Sequence, residues 1–160
     1  MAHKVFVSYH HENDQSKANY LRTKYGSDNT LVDRSLKDSY DNETDDEILA
    51  LIRTNHLKES TVTIVLIGSE TSKRKWVDWE IYSSLRPYKD RTRNGLLTIY
   101  LPTAGDVPPR LQDNIDSGYA VEMKWANIST QLSSKIEEAF NNRTKTDLVR
   151  NGRLRRSRNS

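Results

Sequence analysis

Apolar residues in this chain fall into short β-branched runs, separated by stretches where they recur every three or four positions. Residues 4–9 (Lys4-Val5-Phe6-Val7-Ser8-Tyr9), 61–67 (Thr61-Val62-Thr63-Ile64-Val65-Leu66-Ile67) and 95–101 are runs of the first kind. Their length and branching predict strands, and the 61–67 run has the character of one buried on both faces of a parallel sheet. Shorter runs at 30–33 and 119–125 predict two further strands, the last alternating enough to lie at an edge.

Helical spacing fills the intervals. Residues 15–25 place Ala18, Leu21 and Tyr25 inward, with Gly26 at the position that ends a helix in left-handed conformation. Thr44-Asp45-Asp46-Glu47 is a capping box whose acids suit the positive end of a helix dipole, ahead of Ile48, Leu51, Ile52 and Leu57. Val77, Ile81 and Leu85 make one apolar stripe on the next helix. A short helix is expected over 111–115 behind Pro108-Pro109, and a last one over 131–141 with Leu132, Ile136 and Phe140 inward. Residues 34–42 are polar and read as a loop. Strands alternating with helices predict a three-layer, flavodoxin-like α/β fold with a mostly parallel five-stranded sheet in the order 2-1-3-4-5.

In such sheets ligands bind beyond the carboxyl ends of the strands, where strand order reverses. Here that crevice falls between the first and third strands. Its expected walls are Ser8-Tyr9-His10 and Gly68-Ser69, with the helix bearing Glu80 alongside. Trp76 and Glu80 are four residues apart, so they stack beside the apolar stripe. A glutamate on an amphipathic helix is ordinarily a solvated surface residue, and Trp76 and Trp79 equally suit core anchors. His10 and His11 read as loop residues when nothing else is considered.

Composition narrows the chemistry. A chain of 160 residues suits one domain, with 34% hydrophobic and 29% charged residues giving a heavily charged surface. With no cysteine and no pair of histidines at helical spacing, no metal site is expected. Neither a membrane-length apolar run nor a signal-peptide core is visible, which fits a cytoplasmic protein without a membrane partner. Glycine-rich phosphate loops are absent too, which argues against a dinucleotide held in Rossmann fashion. The formal charge of +3 hides an asymmetry: residues 143–160 hold seven basic residues against Asp147 alone, so residues 1–142 are acidic. Lacking aromatics and apolar clusters, 143–160 reads as a solvated, disordered tail outside a domain spanning 1–142, and no nucleic-acid partner is expected.

Several of these stretches carry a family resemblance. Val5-Phe6-Val7-Ser8-Tyr9 resembles the first-strand signature of TIR domains. Leu31-Val32-Asp33 resembles the strand that leads into their BB loop, and Trp76-Val77-Asp78-Trp79-Glu80 their Trp-x-x-x-Glu helix motif. The longer run from Val65 through Ile81 is similar to the TIR-like proteins of bacterial Thoeris antiphage defence systems. His10-His11 stand where some TIR enzymes have two arginines.

The resemblance implies cleavage of the nicotinamide–ribose bond of NAD, which is a substrate and not a cofactor. In Thoeris-like members the ADP-ribosyl group becomes a nucleotide signal, linear, cyclic or conjugated, that reaches a downstream effector. It also implies Glu80 as the catalytic carboxylate, a substrate site lined by Phe6, Ser8, Tyr9, His10, His11, Asp33, Gly68, Ser69 and Trp76, and a homo-oligomer that completes the site. Nicotinamide leaves as a neutral molecule from a cation, so the second, proton-donating carboxyl group of ordinary glycoside hydrolysis is unnecessary. One carboxylate suffices to stabilise the oxocarbenium ion. The alternatives are a non-enzymatic TIR adaptor working by self-association, and a phosphoacceptor, which would want an aspartate where Gly68-Ser69 stands.

Overall fold

The computed structural model describes residues 3–27, 31–33, 44–57, 59–87 and 92–159. Five strands, β1 (His3–Ser8), β2 (Leu31–Asp33), β3 (Val62–Ile67), β4 (Gly95–Tyr100) and β5 (Val121–Lys124), form one sheet in the order β2-β1-β3-β4-β5. Every pairing is parallel; Ser8 lies opposite Val65, and Val5 lies between Asp33 and Val62. Parallel pairing goes with the helical crossovers between successive strands, and it accounts for why β3 is buried along its whole length.

Side-chain alternation divides the core by sheet face. Val5, Val7, Ile64, Leu66, Leu97 and Ile99 meet α1 (Gln15–Ser27) and α5 (Ile128–Asn141) on one side. On the other, Phe6, Val65, Ile67 and Leu96 meet α2 (Asp45–Leu51), α3 (Lys75–Ser84) and α4 (Pro109–Asp116). Thr44 caps α2 as its motif predicts, with Oγ1 accepting the Glu47 N–H at 3.2 Å. The helix then widens into a π-turn, Ile52–His56, closed by the Leu57 N–H on the Ile52 carbonyl. That wider turn carries Leu57 onto the face of Ile48 and Ile52 five residues on, and it is Leu49 rather than Leu51 that is buried with them.

Three expectations need correcting. Gly26 lies inside α1; the positive φ, 87°, belongs to Gly118, just past the end of α4. α5 begins at Ile128, and its inward residues are Ile128, Leu132, Ile136 and Ala139, with Phe140 only partly buried against them.

The largest departure is residues 143–159, which form an ordered strap across α4 and α3. Leu148 and Val149 pack against the core, Ser117 Oγ donates to the Leu148 carbonyl at 2.6 Å, and Asn114 exchanges two hydrogen bonds with the Arg150 backbone. Farther along, Arg153 pairs with Asp113, and Trp79 Nε1 donates to the Arg156 carbonyl at 2.8 Å. The high charge suggests a solvated arm, yet its backbone groups find buried polar partners on the helices beneath. The 34–42 loop lies outside the described residues.

Candidate functional site

β1 and β3 end side by side, and their side chains leave the sheet in alternating directions. Phe6 and Ser8 point toward α3, whereas Tyr9 packs on the opposite face with α1. α3 follows β3 after one turn, Thr71–Lys73. Thr71 fixes that connection: its Oγ1 accepts the Gly68 N–H at 2.8 Å and donates to the Leu66 carbonyl at 3.2 Å. The helix thereby starts at a set height above the sheet and brings Glu80 over the end of β1.

Ser8 Oγ donates to Glu80 Oε1 at 2.7 Å, with both residues buried. This is the central contact of the site. It joins the first-strand motif to the helix motif and gives the carboxylate a fixed direction. Sequence reasoning set Glu80 at a crevice edge, partly exposed. Instead it is 6% exposed, because α3 is covered by the sheet on one side and by the strap on another.

Other expected residues separate into groups. Trp76 stands edge-on to Trp79, with centroids 5.4 Å apart, and packs against the cluster of Phe6, Ile48 and Ile52. Tyr9 stacks on His11 at 4.5 Å, with the Arg22 guanidinium over its ring, and donates to Gln15 Oε1. Tyr9 therefore belongs to the α1 side, not to the Ser8–Glu80 pair. Partial loss of hydration, then the charges of Arg22, His10 and Arg74, hold the His11 pKa below its ordinary value. His10 is buried, its Nδ1 accepting the Asn13 N–H. Gly68 lies under the Asp14 carboxyl group: a Cβ there would fall 2.8 Å from Asp14 Cγ. Ser69 follows in the same loop, where its carbonyl lies close to Gly105. The Asp33 backbone pairs with Val5, and its side chain lies outside the described residues.

Two groups escaped sequence reasoning. Asp78, named above only as part of the Trp-x-x-x-Glu stretch, is buried and paired with Arg110. Asp14, between β1 and α1, is buried against Gly68 just past β3. Among the described residues no group of three His, Asp or Glu side chains is arranged to hold a metal ion. Two open clefts, of about 740 and 420 Å3, flank the strap near Arg153, and neither is lined by Ser8 or Glu80. The topological crevice, not these two clefts, holds Ser8 and Glu80.

A parallel sheet with this strand order, carrying a buried glutamate on the helix after β3 and a serine partner at the end of β1, is consistent with a TIR-like domain. The family model described as "Thoeris protein ThsB, TIR-like domain" matches residues 6–106, and the chain belongs to that family. A search of curated proteins finds no match. The matched region contains Ser8, Asp14, Gly68 and Glu80; α4, β5, α5 and the strap lie beyond it. No described helix is long and apolar enough to cross a membrane.

Proposed function

We propose that this chain is a cytoplasmic NAD-cleaving enzyme of antiphage defence, breaking the nicotinamide–ribose bond to make an ADP-ribose-derived nucleotide signal. The observation that supports it is the buried Ser8–Glu80 pair at the carboxyl edge of β1 and β3. As C–N bond cleavage proceeds, positive charge grows on the ribose C1′ and O4′ while nicotinamide departs neutral. A preoriented carboxylate in a water-poor site stabilises that charge far more than one in solvent. The Ser8 hydroxyl holds it in place beforehand, so little reorganisation accompanies the step.

No cofactor enters; NAD is the substrate. The same proposal has the enzyme act as a homo-oligomer, its signal reaching the effector by diffusion, so specific activity rises with protein concentration. Glu80→Gln keeps shape and removes charge. NAD consumption by the assembled, triggered protein should fall about 100-fold or more. Wild-type rates in Glu80→Gln would overturn the assignment of Glu80. A triggered wild type that never consumes NAD would favour an adaptor, a role compatible with a glutamate as enclosed as this one.

A further inference from the structure

Asp14 is 4% exposed, and its Oδ2 has no hydrogen-bond partner among the described residues. Buried carboxyl oxygens are nearly always paired, and an orphan at a ligand crevice asks what donor completes it. Among the described residues none is hydrogen-bonded to it. Gly68 presents only its Cα to the carboxyl group, and His10 Nδ1 is already engaged by the Asn13 N–H. Burial holds the Asp14 pKa above its ordinary value, opposed by the charge on His10, which fits a carboxyl group poorly compensated from within the fold.

Position supplies the rest. Asp14 opens α1, whose packing is on one face of the sheet, while Glu80 rides on α3 on the other face. Both stand near the carboxyl ends of the central strands, the Asp14 carboxyl group against Gly68 just past β3 and Glu80 bonded to Ser8 at the end of β1. A ligand lying across the strand ends meets Glu80 from one side and Asp14 from the other. A dinucleotide carries two riboses, each with a vicinal diol, and the two oxygens of a carboxyl group match the two hydroxyls of such a diol.

We infer that Asp14 is a second substrate-binding residue, accepting hydrogen bonds from a ribose diol of the dinucleotide. This rests on the NAD-cleaving activity proposed above, yet it concerns binding and not bond cleavage. Glu80→Gln stops turnover, so affinity is measured in that background by calorimetric titration of NAD and ADP-ribose. Adding Asp14→Ala should weaken both ligands by about tenfold or more, the worth of a hydrogen bond to a charged group. The ligand-free thermal midpoint should stay or rise, since an unpartnered buried carboxyl group is removed. Asp14→Asn, closer in shape, serves if the alanine variant fails to fold. An analogue lacking the ribose hydroxyls should bind both proteins alike.

Equal affinity with and without Asp14, or failure of the Glu80→Gln protein to bind either ligand, overturns the inference. So does a loss of affinity matched by a collapse of the midpoint in both Asp14 variants. Turnover is read separately: if Glu80→Gln consumes NAD at the wild-type rate while Asp14→Ala loses ADP-ribose binding, Asp14 stands and Glu80 falls.

Discussion

Arg110 and Asp78 form a buried ion pair, with Nε donating to Oδ1 at 2.9 Å and Nη2 to Oδ2 at 3.4 Å. It links α4 to α3 two residues before Glu80, and the Arg156 N–H adds a third donor to Asp78 Oδ2 at 2.7 Å. Arg110 is 1% exposed, lies 5.1 Å from the Tyr82 ring, and reaches the strap through Asn151 Oδ1 and the Leu154 carbonyl. A guanidinium with this many planar donors satisfied is well placed; one without its carboxylate is a stranded charge.

Asp78→Asn should therefore be costly although it conserves shape. Neutralising it leaves Arg110 buried without a counter-charge, a loss of about 3 kcal/mol or more. Urea unfolding of wild type and Asp78→Asn reads this directly. A difference below about 1 kcal/mol would mean that water compensates Arg110.

Truncation after Arg143 removes the strap and with it the partners of Trp79 Nε1, Asn114 and the Lys75 N–H. Leu148 and Val149 leave the core at the same time. A loss of several kcal/mol follows, and at roughly 2–4 °C per kcal/mol the thermal midpoint should drop by about 5 °C or more. Calorimetry of the two chains tests it, with hydrogen exchange of α3 rising in the shorter one. An unchanged midpoint would mean that the strap sits on the domain without stabilising it.

These two elements also mark how far sequence reaches. The parallel α/β class was legible because β3's run is buried on both faces and Val77-Ile81-Leu85 repeats at helical spacing. Glu80 was legible because Trp76 and the residues around it form a motif. Asp78 and the strap were not, since their burial depends on Arg110 and Asn114, distant residues that no local period announces. Asp14 escaped for a similar reason: only the bare Cα of Gly68, fifty-four positions away, explains why a carboxyl group fits there.

His11 supplies a pH prediction. Its pKa is held below the ordinary value, so the unfolded chain binds the proton more readily than the folded one. The neutral ring's contribution to stability is present above pH 6.5, the usual histidine value, and is lost as pH falls below it. Unfolding free energies at pH 7.5, 6.5 and 5.5 should decline more steeply in wild type than in His11→Gln. Parallel curves would show that neither the ring's partial burial nor the charges around it, Arg22, His10 and Arg74, disfavour its protonation in the folded protein.

Ser8→Ala tests whether the hydroxyl orients Glu80 or merely fills space. Ser8 is fully buried at the end of β1, and its Oγ donates to Glu80 Oε1 at 2.7 Å. Alanine fits the same volume, so packing changes little; what disappears is one donor to a charged acceptor. Such bonds contribute roughly 1.5–3 kcal/mol, and each 1.4 kcal/mol is tenfold in rate if the contact is needed in the transition state. NAD consumption should fall about 10- to 100-fold in kcat, with KM moving less, because the hydroxyl acts through Glu80. In the Glu80→Gln background the same substitution should change little, since there is no carboxylate left to orient. Equal and additive losses in both backgrounds would show that Ser8 acts on the substrate itself. An unchanged kcat in Ser8→Ala would leave the hydrogen bond a packing feature of the helix and strand it joins.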